Sequence, residues 1–259
     1  MKTQPTYRRF GRLFIVQHII LFTSVLLLIV SGVPVKYPDQ AWARWAIWLQ
    51  GGMTVRGWIH YTAGMALVGL GVFHVVWYTL VDRRIPWYRR KILPGPQDFR
   101  DGWHHLNYLV GKREALPPMD RYTWFEKLDY FGLAWGFIVM GVSGVAMLFL
   151  DTALNFIPLA WLQVLWAAHS EEAMLATLFL LIIHMYHVHF SPERFPMSLT
   201  WLHGKISHEE MEKYHPLELA QWEADDAIQD HMVLEEPSNP EAAQPPSPKR
   251  KSAPQEVTP

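Results

Sequence analysis

Four long apolar stretches constrain this chain more than any other feature. They run from Leu13 to about Gly32, from about Val55 to Val81, from about Leu128 to Leu150, and from about Leu162 to Phe190. A hydrocarbon core of ~30 Å needs about 20 apolar residues in helical form, and each stretch supplies that. The second and fourth are long enough to tilt or to project from a bilayer. The expected fold is therefore an all-α integral membrane protein, a four-helix transmembrane bundle with a polar C-terminal extension. The first stretch is longer than the h-region of a secretory signal and no Ala-x-Ala-like site follows it, so it reads as a retained helix.

Basic residues orient the bundle. Lys2, Arg8, Arg9 and Arg12 precede the first span. Arg83, Arg84, Arg89, Arg90, Lys91, Arg100, Lys112, Arg113 and Arg121 lie between the second and third. The other two connections hold only Lys36, Arg44 and, at the border, Arg56. The positive-inside rule puts both termini and the long middle loop in the cytoplasm of a bacterial-type inner membrane. Tryptophans 45, 48, 58, 87, 124, 161, 166 and 201 stand near span ends, where the headgroup level suits them. The segment 42–50 reads as a short helix on the periplasmic surface. Residues 1–200 form the transmembrane domain in this reading, and 201–234 a polar helical extension. Residues 235–259, rich in Pro, Ser, Glu and Lys, form a disordered tail. No internal repeat stands out.

The chain has no cysteine. That excludes Cys-ligated iron–sulfur clusters, Cys zinc sites and covalent c-type haem, so a redox cofactor must hang on His, Met or Tyr. His18, His60, His74, His169, His184 and His187 lie inside the spans, with His189 at a border. Intramembrane ionisable residues are costly and mark function. By depth they form two layers. His60 and His169 are level near the periplasmic end; His18, His74, His184 and His187 are level near the cytoplasmic end. His60 and His74 are 14 residues apart and His169 and His184 are 15 apart, roughly 21–22 Å along a helix. Two haems stacked across a bilayer need layers about that far apart, each iron accepting two neutral imidazoles. Zinc would want three or four ligands at one point, which two layers do not offer. His104, His105, His203, His208, His215 and His231 read as solvated surface histidines. Glu171 and Glu172, within a turn of His169, read as interfacial, or as tuning a haem potential. Glycines 64, 69, 71, 132, 136, 141 and 144 leave room for a macrocycle or for close helix packing.

Several short motifs then carry a family resemblance. Arg56-Gly57-Trp58-Ile59-His60, His169 followed by His184-Met185-Tyr186, Gly204-Lys205-Ile206-Ser207 and His215-Pro216 resemble the cytochrome b (gamma) subunits of membrane-bound formate dehydrogenases and their di-haem relatives. Phe10-x-Arg12 with His18 is similar to that family's entry into its first helix. The resemblance spans roughly residues 7–222. It implies that His60 and His169 ligate a periplasmic-side haem b and that His18 and His184 ligate a cytoplasmic-side one, with a menaquinone-type site beside the latter. His74 departs from the formate dehydrogenase branch. With Asn107-Tyr108-Leu109 and Glu172-Ala173-x-Leu175-Ala176-Thr177-Leu178 it resembles instead the branch serving periplasmic multihaem cytochromes.

The expected function is electron transfer through two haems b between a quinone, menaquinone or ubiquinone, and a periplasmic partner. That partner is a multihaem cytochrome c or an iron–sulfur or dehydrogenase subunit, and the chain is the quinone-reacting membrane subunit of an oxidoreductase complex. Nothing points to nucleic acid. The second cytoplasmic-side ligand is His18 by resemblance or His74 by spacing. The spare histidine, His74 or His187, becomes a quinone-site candidate. Arg8, Arg9, Arg12, Arg83 and Arg84 are candidates for haem propionates or lipid phosphates. A competing expectation is a colourless transporter or proton channel using a histidine relay.

Overall fold

The computed structural model describes residues 5–82, 85–86, 90–191, 194–195 and 197–233. Arg83, Arg84, Arg89, Trp87 and the expected disordered tail lie outside these. Four helices are long and apolar enough to cross a membrane. They are α1 (Arg12–Lys36), α3 (Gly52–Val76, continued by a π-helical turn Trp77–Val81), α5 (Trp124–Leu148) and α7 (Leu159–Leu178). The last is continued by π-helical turns Phe179–His184 and Tyr186–Phe190. No more than 11 % of the apolar window of any of them is buried within the chain. That much exposed apolar surface needs lipid as its solvent, and the chain is a multi-pass membrane protein.

The helices alternate in direction. α1 packs on α3 and α5 on α7, and contacts of α1 with α7 and of α3 with α5 close the bundle. The Trp-rich α2 (Ala41–Leu49) links α1 to α3, and the short α6 (Leu150–Ala153) links α5 to α7. We call this the α2 end. α4 (Pro96–Leu109) lies in the long connection and starts with Pro at its first turn and Asp98 accepting from the Gly95 amide at 2.6 Å. α5 opens with a capping box: Thr123 Oγ1 accepts from the Glu126 amide at 3.1 Å and Glu126 accepts from the Thr123 amide at 2.8 Å.

The opposite end, where residues 6–8 meet residues 205–207 and 232–233, has a clamp the hydropathy pattern does not signal. β1 (Thr6–Arg8) is the centre of a three-stranded antiparallel sheet of order β2-β1-β3, with β2 Lys205–Ser207 and β3 Met232–Val233. Tyr7 pairs with Ile206 on one side and Met232 on the other. Around it lie α8 (Thr200–His203), α9 (His208–Tyr214), α10 (Pro216–Ala224) and α11 (Ile228–His231). Tyr7, Ile206, Met211, Leu219 and Trp222 form a small core. Gly204, at φ +72°, makes the entry possible: its carbonyl accepts from the Arg9 amide at 2.7 Å, and a Cβ there would stand 2.5 Å from the Phe10 carbonyl oxygen. So Gly204-Lys205-Ile206-Ser207 and His215-Pro216 build this clamp.

His215 is a correction to the surface reading. It is 1 % exposed and its Nδ1–H donates to the Asp120 carbonyl at 2.9 Å. Arg9 is also buried, at 3 %, donating to Glu218 at 2.5 Å and to the Arg121 carbonyl, while Arg121 donates to Glu218 at 2.7 Å. One carboxylate thus joins two guanidinium groups, which leaves Arg9 committed inside the clamp and unable to reach a propionate.

Candidate functional site

The histidines are held by small polar residues on neighbouring helices. At the α2 end, Ser31 Oγ donates to the Leu27 carbonyl at 2.6 Å, and the hydroxyl oxygen accepts from His60 Nδ1 at 2.9 Å. On the other helix pair, Ser143 Oγ donates to the Val139 carbonyl at 2.5 Å and accepts from His169 Nδ1 at 2.9 Å. Fixing the proton on Nδ1 leaves Nε2 of each ring as the lone-pair nitrogen. Each serine is followed by a glycine that makes room for the ring: a Cβ at Gly32 would be 3.1 Å from His60 Cε1, and one at Gly144 3.2 Å from His169 Cε1. The two ring centres are 6.4 Å apart. With metal–nitrogen bonds of about 2 Å and each nitrogen about 1 Å from its ring centre, two imidazoles on one iron stand roughly 6 Å apart. These residues fit a bis-histidine iron.

The end bearing the clamp is built from the same frame. His184 Nδ1 donates to Asp129 Oδ2 at 2.9 Å. His74 Nδ1 meets Gln17 Oε1 at 2.8 Å. Ser31 and Ser143 are 112 positions apart, and so are Gln17 and Asp129. α5 repeats α1 at that offset, and the partner helices repeat too, with Ser backing His60 or His169 and Gln or Asp backing His74 or His184. The one-residue difference, 14 against 15, is absorbed by the π-helical turn ending at His184. The sequence reading missed this duplication because four backing residues in 25-residue helices leave little identity around them; Ser-Gly-Val at 31 and 143 was the available signal.

The repeat breaks at one place. Position 18 is histidine on α1, and its counterpart on α5 is Tyr130. Tyr130 closes on His74, hydroxyl to Nε2 at 3.1 Å, so both nitrogens of His74 are engaged. The Tyr78 ring lies tilted beside it, 4.7 Å between centres, under the Arg90 guanidinium. His18 instead lies within electrostatic reach of His184 and His189, between Phe14 and Trp201, and its buried Nδ1 has no partner among the described residues. A buried ring with an unused nitrogen, beside a second histidine, also fits an iron site.

Other candidates fall elsewhere. His187 stacks on Phe125 at 3.8 Å and edges His105, in surroundings different from those of His74. Glu171 pairs with Lys36 at 2.7 Å, with its side chain 76 % exposed. Glu172 lies against α5, where a Cβ at Gly136 would be 3.3 Å from its carboxylate. Gly71 admits the Phe137 ring, so that glycine serves close helix packing. His105 accepts from Trp124 Nε1 at 3.1 Å, His208 bonds the Tyr7 hydroxyl at 2.9 Å, and His231 stacks on Trp222 at 4.1 Å.

A model of the prokaryotic cytochrome b561 family matches residues 9–199. The chain belongs to that family. The match takes in all four spans and both histidine layers and stops short of β2. No curated protein matches the chain. Cytochrome b561 proteins bind haem b, and membership makes this chain a membrane electron-transfer protein of the cytochrome b kind. It does not single out the formate dehydrogenase gamma branch.

Proposed function

We propose that the chain is a di-haem membrane subunit that carries electrons between a quinone near its clamp end and a redox partner at its α2 end. The observation that carries this reading is the His60–His169 pair, 6.4 Å between ring centres with a serine behind each Nδ1. Haem b, when bound, would supply a one-electron iron centre. His60 and His169 would hold one iron, and His18 and His184 the other. His74 is the alternative to His18, but Gln17 and Tyr130 already engage both of its nitrogens. That favours His74 for the quinone site, acting through the Tyr130 hydroxyl, since imidazole and hydroxyl can each donate, accept and pass a proton. His187 is the second candidate for that role.

Positive-inside bias supports a cytoplasmic clamp and an inner-membrane location. The partner would then be periplasmic, a multihaem cytochrome c or an iron–sulfur or dehydrogenase subunit, as in the branches the motifs resemble. Menaquinone and ubiquinone present the same carbonyls to His74. Purified in detergent, the chain should yield two haems b by pyridine haemochrome, all extractable into acidified acetone. His60→Ala and His169→Ala should each leave one. Two haems with unchanged spectra in either variant would overturn the pairing.

A further inference from the structure

The duplicated frame makes its own comparison between the two iron sites. Three of its four backing groups are neutral: Ser31, Ser143 and Gln17. The fourth, Asp129, is a carboxylate. Its Oδ2 takes the His184 proton bond, and its Oδ1 is buried with no partner among the described residues. At the α2 end a cation stands beside His60. Arg56 stands one turn from His60 on α3 and donates to the carbonyl of Ser31, the residue whose hydroxyl backs His60. Its Nε is likewise buried without a partner among the described residues.

Resting on the two-haem reading above, we infer that Asp129 and Arg56 set a potential step between the sites, so that electrons run from the clamp end to the α2 end. Asp129 is a positioning residue. A carboxylate that accepts from Nδ1–H makes the opposite nitrogen a stronger donor, and its own charge favours the more positive, oxidised iron. Both effects lower the potential at His184. The Arg56 cation beside His60 favours the reduced form and raises the potential there. In a low-dielectric bilayer neither charge is screened as it would be in water. The sequence left the direction of flow open, and a step of this sign favours one: oxidation of a quinol at the clamp end and delivery at the α2 end.

The test is a spectroscopic redox titration of the purified, haem-loaded full chain, with haem counted in every sample. Asp129→Asn should raise the lower midpoint by at least a tenfold shift in the oxidised-to-reduced ratio, about 59 mV for a one-electron couple, and leave the upper one in place. Arg56→Gln should lower the upper midpoint. Gln17→Leu should move neither. Two haems with both midpoints unmoved in Asp129→Asn overturn the inference, as does a lower midpoint that follows Gln17 instead of Asp129. Should the asparagine variant lose a haem, Arg56→Gln decides: an unmoved upper midpoint overturns the inference and a lowered one supports it. A wild-type chain with fewer than two haems removes the underlying reading instead.

Discussion

The choice between His18 and His74 turns on what each ring nitrogen already touches. His74 has Gln17 on one nitrogen and Tyr130 on the other, whereas buried Nδ1 of His18 has no partner among the described residues. We therefore expect His18→Ala to lose the clamp-end haem. His74→Ala should keep both haems and lose quinol-dependent haem reduction, by a factor of about 10²–10⁴ if the ring transfers the proton. The reverse pattern in haem counts would exchange the two roles. Depth along a helix could place these histidines in one layer from sequence alone. It could not separate them, because the separating residues, Gln17, Tyr130 and Asp129, sit on other helices. The surface reading of His215 fails for the same reason: nothing near it in sequence announces Asp120 and Arg9 above it.

At the scale of elements, the spanning helices were legible because hydropathy is a local property and lipid enforces it over 20 residues at a time. The clamp was not. Its strands are two or three residues long, and their pairing depends on a partner about 200 positions away. Gly204 is where that pairing is most exposed to change. Its φ of +72° and the nearby Phe10 carbonyl both resist a side chain. Gly204→Ala should cost at least ~1–2 kcal/mol, read as a lowered unfolding temperature. A Tm equal to wild type would mean the strand entry has another route.

Over the whole molecule, the clamp is also where acidity should act. Burial, aided by the Arg9 guanidinium, pushes His215 down to about 4, against the opposing pull of Glu126 and Glu218. The unfolded chain binds a proton there near pH 6.5 and the folded chain does not. Its stabilising contribution is therefore whole above pH ~6.5 and drains away as the pH falls toward 4, by about 3 kcal/mol in all. Amide exchange at residues 6–8 and 205–207 should be slow at pH 7.5 after correction for intrinsic rates and markedly faster at pH 5. His215→Gln should flatten that difference. The clamp has a further consequence in time. Tyr7 and His208 are 201 residues apart and hydrogen-bonded, so β1 is made long before β2 and has no partner there until α7 has been synthesised. Until then the bundle is open at that end. The sheet that ties β1 to β2 and β3 therefore forms only after all four spans exist.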